Sequence, residues 1–209
     1  MTAVTITSFG HSCFKISAGD CSAVLDPYDR DSVPGINLPE GIEASVVYCS
    51  HGHGDHNAAH LIHETAGGSD PFEAEFLTVP HDEAGGTLRG MNRITILKAG
   101  KAVITHMGDI GRLPTEEEYA QLKKTDVLLI PCGGHYTIGA AEAAEIVRTI
   151  APALTILMHF RKGSRGYGVI ADIETVKESF PELKCLEESS IQFEDTEIPH
   201  GVITLEPKQ

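Results

Sequence analysis

Along the first half of the chain polar and apolar residues alternate or form short mixed runs, whereas the second half contains continuous apolar runs separated by helical periodicity. Residues 4–7 and 13–16 alternate and are rich in β-formers, and the apolar run 23–25 follows a Gly19-Asp20 turn, so the start of the chain is expected to be a β-meander. Asp26-Pro27-Tyr28-Asp29 ends the third strand. Residues 29–42, rich in Pro, Gly and Asp, are expected to form a loop, either the wall of a site or slack. Residues 44–49 predict a strand, and 57–64 have the composition of a helix that would stop at Gly67-Gly68. Further strands are expected over 75–79, 93–97 and 102–105, the last two as a hairpin through 98–101. Pro114 and the Thr115-x-x-Glu118 pattern open a helix. The apolar stretches 126–131 and 154–158 predict strands buried on both faces, with helices over 139–150 and 172–179. The expected architecture is α/β: two mixed sheets packed face to face with helices outside, an αβ/βα four-layer sandwich.

Composition narrows the class without changing this layout. The 209 residues fit one domain, 1–209, with volume for a substantial core. No apolar run approaches the roughly 20 residues that cross a bilayer, and residues 1–6 lack a secretory leader pattern, so no membrane partner and a cytoplasmic location are expected. Five dispersed cysteines, with no C-x-x-C pair, suggest neither a disulfide framework nor a thiolate zinc site. A formal charge of −14 argues against a nucleic-acid partner, because neutralising phosphates needs a basic face. A small-molecule substrate is the expected partner, and homo-oligomerisation is left open.

The densest chemistry lies at Ser50-His51-Gly52-His53-Gly54-Asp55-His56, directly after the 44–49 strand. In an extended segment residues i and i+2 point the same way, so His51 and His53 can share one metal ion while Asp55 and His56 face a second. Neither shell closes with these four, so further ligands are needed. His81, Asp109 and His159 each follow a predicted strand. His51, His53 and His81 would hold one ion, Asp55, His56 and His159 the other, and Asp109 would bridge. A surface His-rich accident is the plainer alternative, opposed by the tract's internal position and its acid. His11 and Asp26 are candidates to orient ligands by hydrogen bonds, with a purely structural role equally open for Asp26. His106 is divided between such a role and structure. His60 and His63 are expected on the surface of the 57–64 helix, and His200 has no support beyond its chemistry.

The combination of Gly10-His11-Ser12-Cys13-Phe14, Asp26-Pro27-Tyr28, His51-x-His53-x-Asp55-His56, His81-Asp82, Arg89-Gly90-Met91-Asn92, His106-Met107-Gly108-Asp109, Gly133-Gly134-His135-Tyr136-Thr137 and His159 resembles the metallo-β-lactamase-fold hydrolases. Within them it is similar to the branch of cytoplasmic L-ascorbate-6-phosphate lactonase-like enzymes. The resemblance implies two Zn²⁺ ions per chain, with Mn²⁺ or Fe²⁺ as substitutes, and hydrolysis of an ester, lactone or phosphodiester by a metal-bridging hydroxide. Asp55 or a nearby histidine would return the proton. His135 stands where many relatives carry an aromatic residue. It is a catalytic candidate, with substrate binding, proton donation and simple space filling all open. Arg161, Lys162 and Arg165, after His159, suggest an anionic substrate. The rival readings are a metal-binding sensor or scaffold without catalysis, and a nucleic-acid phosphodiesterase. A Gly166-x-Gly168-x-x-Ala171 match to a dinucleotide fingerprint lacks the surrounding βαβ unit.

Overall fold

The computed structural model describes residues 1–65 and 72–209. The strands are β1 Ala3–Gly10, β2 Cys13–Ala18, β3 Cys21–Leu25, β4 Glu43–Ala44, β5 Val46–Tyr48, β6 His63–Glu64 and β7 Glu73–Pro80. They continue as β8 Met91–Ala99, β9 Ala102–His106, β10 Val127–Pro131, β11 Leu154–Met158, β12 Lys184–Cys185, β13 Ser190–Glu194 and β14 Gly201–Thr204. Helices are α1 Glu116–Leu122, α2 Ala140–Ile150 and α3 Ile173–Val176. Two mixed sheets result, one in the order β13-β1-β2-β3-β5 and one in the order β12-β14-β11-β10-β9-β8-β7, beside a small β4-β6 pair.

Side-chain alternation builds the layers. Val127 and Leu129 of β10 and Ile156 of β11 point between the sheets, where they meet Ile6, Phe14 and Ile16. Leu128, Ile130 and Leu157 point the other way, against Ala143, Ile146 and Ile150 of α2 and Val176 of α3. The runs that read as continuously apolar are therefore buried on both faces. The outer face of the five-stranded sheet is covered by a loop layer in which Tyr28, Val33, Ile36 and Ile42 pack on Phe9, Cys13 and Val24. The 29–42 segment is thus packed structure and not slack.

Helix α1 starts with the expected reciprocal cap, Glu118 N–H to Thr115 Oγ1 at 3.3 Å and Thr115 N–H to Glu118 Oε2 at 2.7 Å. Three expectations change. Residues 57–64 form only a 3₁₀ turn, Ala59–Leu61, followed by β6, because His63 N–H and Thr65 N–H are taken by Ile42 and Ala44 carbonyls. The stop expected at Gly67-Gly68 lies outside the described residues. The 172–179 helix shortens to α3, capped by Asp172 and continued by tighter turns. Strands β12, β13 and β14 were not foreseen, since 184–204 carries few long apolar stretches.

Topology brings the chemistry to one edge. β1, β3 and β5 run the same way in the first sheet, as do β7, β9, β10 and β11 in the second. Their C-terminal ends carry His11, Asp26 and the 51–56 turn on one side, and His81, Asp109, the 133–136 turn and His159 on the other. Strand ends on a packed scaffold are suited to holding a site rigidly.

Candidate metal centre

All seven expected ligands come together. Donor atoms of His51, His53 and His81 lie within 4.8 Å of one another, as do those of His11, Asp55, His56 and His159, and those of His51, His56 and Asp109. Asp109 Oδ2 lies 3.3 Å from Nε2 of His56, 3.3 Å from Nε2 of His159 and 3.7 Å from Nε2 of His81. The carboxylate therefore stands between the two groups. His11, also in the second group, places Nε2 3.2 Å from Asp55 Oδ2. His60 and His63 are exposed and outside these groups.

The buried atoms that lack a hydrogen-bond partner among the described residues include Nε2 of His51, His56 and His159, Nδ1 of His81 and Oδ1 of Asp109. A buried polar group without a partner costs ~1–3 kcal/mol, so several within one cluster of donors fit a bound cation. Mixed imidazole and carboxylate donors suit Zn²⁺, Mn²⁺ or Fe²⁺. The residues fit a metal.

Hydrogen bonds behind the donors fix which ring nitrogen faces inward. Asp26 Oδ2 accepts from His56 Nδ1 at 2.7 Å and from Ser50 Oγ at 2.6 Å, while Asp26 Oδ1 accepts from Ser50 N–H at 2.7 Å. Because Ser50 Oγ donates to Asp26, it accepts from His51 Nδ1, 2.9 Å away. One buried carboxylate thus directs the Nε2 atoms of both His51 and His56 towards the centre. His106 has a different task. Its Nδ1 accepts from Gly108 N–H at 3.1 Å and its Nε2 donates to Ser12 O at 2.8 Å, so it pins the turn that carries Asp109. Asn92 holds the same turn, its Oδ1 accepting from Asp109 N–H at 2.8 Å. Gly108, at φ 53°, leaves no room for a Cβ against Asn92 and Ser50.

Backbone strain concentrates here. His11, Asp26, His135 and His159 are non-glycine residues with φ between 45° and 63°. Such conformations cost on the order of 1–3 kcal/mol each and persist where surrounding structure imposes them. His135 sits at the centre of a three-residue turn closed by Tyr136 N–H to Gly134 O at 2.7 Å. This rare, strained turn sends Tyr136 into the cleft, while the exposed His135 ring packs edge-on against Tyr136 at 4.5 Å and does not line the cleft.

Charge is unevenly distributed. Burial pulls the His56 pKa down, but Asp109 and Asp26 outweigh it and hold it well above the ordinary value. Asp109 is held well below the ordinary range despite burial, by His159 and His56. Burial lowers His51 to about 3 and His11 to about 4. Asp55 is pulled below the ordinary range by His11 and His56 against the effect of burial.

The cleft above the donors has a volume of about 300 Å³ and is lined by His53, Asp55, His81, Arg89, Asp109, Tyr136 and Tyr167. Arg89 and Tyr167 were not picked out as site residues. Tyr167 lies within the Gly166-Tyr167-Gly168 stretch, and its hydroxyl is 2.7 Å from Ser32 O and 3.2 Å from Asp55 Oδ2. The expected anion-binding residues are elsewhere. Arg161 pairs with Asp172 at 3.0 Å, and Arg165 pairs with Glu206 at 2.7 Å. Arg165 and Lys162 help line a separate cavity of about 40 Å³ against His11 and His159. Among the described residues no helix is long and apolar enough to cross a membrane.

Residues 5–159 match the family model described as the β-lactamase superfamily domain. A protein of Desulforamulus reducens named UPF0173 metal-dependent hydrolase is 26% identical over 192 residues, covering 74% of this chain and 83% of its own. One of the same name from Opitutus terrae is 27% identical over 196 residues, covering 77% and 86%. The crystal structure of a metallo-β-lactamase-superfamily protein from Thermotoga maritima superposes with a TM-score of 0.75 at 24% identity, covering 97% of this chain and 98% of that one. A metallo-hydrolase of Ignicoccus hospitalis superposes with a TM-score of 0.65 at 17% identity, covering 92% and 99%. With the family model matched across most of its length and the same layered sheets around a histidine-aspartate cluster, this chain belongs to the metallo-β-lactamase superfamily.

Proposed function

We propose that this protein is a binuclear metal-dependent hydrolase, most simply a zinc enzyme, that cleaves an ester, lactone or phosphodiester bond of a small molecule. The observation that carries this reading is Asp109, a buried carboxylate within 3.3–3.7 Å of histidines belonging to both donor groups. A carboxylate so placed could be shared by two ions, one with His51, His53 and His81 and one with Asp55, His56 and His159. The names of the relatives, metal-dependent hydrolases, agree in reaction class. Divalent ions bound there supply Lewis acidity, which activates water near neutral pH and polarises a carbonyl or phosphoryl group.

The chain's own groups do the remaining work. Asp26 fixes the ring orientation of His56 directly and that of His51 through Ser50. Asp55 lines the cleft beside the donor histidines, placed to take a proton and return it to the leaving oxygen. Tyr167 and His11, both against Asp55 Oδ2, hold that carboxylate in place. His135, packed on Tyr136, stands behind it from the cleft. The test is stripping the protein with a chelator and restoring it with Zn²⁺ or Mn²⁺, while metal content and hydrolysis of a panel of esters, lactones and phosphodiesters are followed. Two ions per chain and activity that leaves and returns with them are expected. Hydrolysis by protein shown to be free of metal would defeat the reading.

A further inference from the structure

Among the described residues that line the cleft over the donor groups, Arg89 is the one arginine or lysine. Its chain position is unusually well fixed for a loop. Asp82, next to His81, is a buried carboxylate whose oxygens accept the N–H groups of Gly86 at 2.9 Å, Leu88 at 3.0 Å and Arg89 at 2.8 Å. The loop is clasped at its ends by His81 N–H to Gly90 O at 3.0 Å and internally by Gly90 N–H to Gly86 O at 3.0 Å. Gly86, at φ 86°, backs so closely on Gly90 that a side chain would meet the Gly90 carbonyl at 2.8 Å. The main chain at Arg89 is therefore built into the same frame as the donor His81, and its guanidinium lies over the Tyr136 ring, 5.6 Å from the centroid.

This arginine differs from the others near the site in that its guanidinium has neither a carboxylate nor a hydrogen-bond partner among the described residues. Arg161, Arg165 and Arg112 are each paired with an acid, and Arg93 donates to Cys49 O while lying over Phe76. In a chain of formal charge −14, an anion approaching the surface is repelled unless a local cation offsets that field. An unpaired arginine, half-buried, stacked on one aromatic face and held by its backbone, keeps its donor fork free for a two-pronged contact with an oxyanion.

We propose that Arg89 determines specificity by receiving an oxyanion, a carboxylate or a phosphate, carried by the substrate away from the bond that is cleaved. The substrate class is then a small ester or lactone with an anionic group, sized for a cleft of about 300 Å³. Tyr136 is a positioning residue for the guanidinium. The proposal rests on the hydrolase reading for what is cleaved, but the binding of the anion does not depend on turnover.

The experiment uses metal-loaded protein and calorimetry with three ligand series of matched length, from two to six carbons: α,ω-dicarboxylates, the corresponding monocarboxylates, and carboxylates bearing a terminal phosphonate. With one carboxylate held at the metal centre, the second anion would report on Arg89. For at least one length the second anion should tighten binding by about ten- to a hundredfold, the range of a charge-assisted hydrogen bond. Arg89→Ala should erase that gain while leaving monocarboxylate affinity and metal content unchanged, and Arg89→Lys should keep part of it. A larger gain from phosphonate than from carboxylate identifies the substrate's anion as a phosphate, and the reverse as a carboxylate. If no length shows a gain, or if the gain survives in Arg89→Ala, the proposal is overturned. Failure of the hydrolase reading would show separately, as metal-loaded protein that turns over no member of the ester, lactone and phosphodiester panel while the binding gain persists.

Discussion

The two donor groups are built differently. His56, His159 and His11 are buried, and with the partly buried Asp55 they form an inner group enclosed by strands of both sheets. His51 and His53 are partly or fully exposed, and with His81 they form an outer group at the cleft. The inner group is braced by a direct Asp26–His56 bond, the outer by a relay in which Ser50 stands between Asp26 and His51. One group is therefore held by burial and a carboxylate. The other is held by a hydroxyl and opens to solvent. A metal bound to the inner group should be the tighter and slower to leave, with the outer one governing how substrate is met.

The largest effect should come from the residue the two groups share. Asp109→Ala removes the carboxylate that faces His56, His81 and His159 at once. A zinc site of about four ligands binds with roughly 10–16 kcal/mol, so one ligand accounts for about 3–4 kcal/mol, a loss on the order of several hundredfold in affinity. Both ions should weaken together, as read by metal analysis after dialysis against a chelator of graded strength. His53→Ala should spare the inner ion. Equal loss of both ions in His53→Ala would erase the distinction between the groups.

A smaller effect, of the same kind, is expected from Asp26→Ala. Loss of a group that orients a ligand lowers metal affinity by about 10–100-fold. Here it should fall harder on the inner ion, because Asp26 touches His56 itself but reaches His51 only through Ser50. Ser50→Ala is the complementary change, acting on the outer ion. Chelator titrations of the two variants that rank the ions in the same order would count against this division of roles.

How much of this could be read from the chain follows from range. The strand that delivers residues 51–56, the capping box of α1 and the doubly buried β10 and β11 are written in local pattern, and so were legible. The donor residues were legible because histidines and acids at strand ends need no knowledge of packing to be noticed. The 57–64 segment was misread as a helix because its composition cannot show that Ile42 and Ala44 carbonyls compete for its N–H groups. Arg161 and Arg165 looked available because their partners Asp172 and Glu206 are brought to them by tertiary structure. Arg89 carries no local signal, since the sequence pattern does not reveal that Asp82 collects three backbone N–H groups to fix its loop. The backbone strain at His135, which makes Tyr136 and not His135 the side chain in the cleft, has no sequence signal at all.

The last expectation is the smallest per step and the most discriminating, because protons compete with metal differently in the two groups. In the metal-free protein His56 keeps its proton to a pH well above 6.5, held by Asp109 and Asp26 against the effect of burial. His51 and His81 are lowered by burial, His51 to about 3. Binding to the inner group must therefore expel the His56 proton, and its affinity should rise by up to about tenfold per pH unit until the raised pKa is passed. The outer ion, held with His51 and His81 lowered by burial, should show a shallower dependence. The stability of the metal-free fold follows the same signs. The His56 contribution is complete below about pH 6.5 and is lost as pH rises through its raised folded value. The lowered histidines, His11 and His51, contribute stability above about pH 6.5 that is lost as pH falls towards their folded values of about 4 and about 3. Zinc competition titrations at pH 6, 7 and 8 separate the two ions directly. Two affinities that rise in parallel would mean that the inner and outer groups titrate as one cluster, and the contrast drawn from burial would fall.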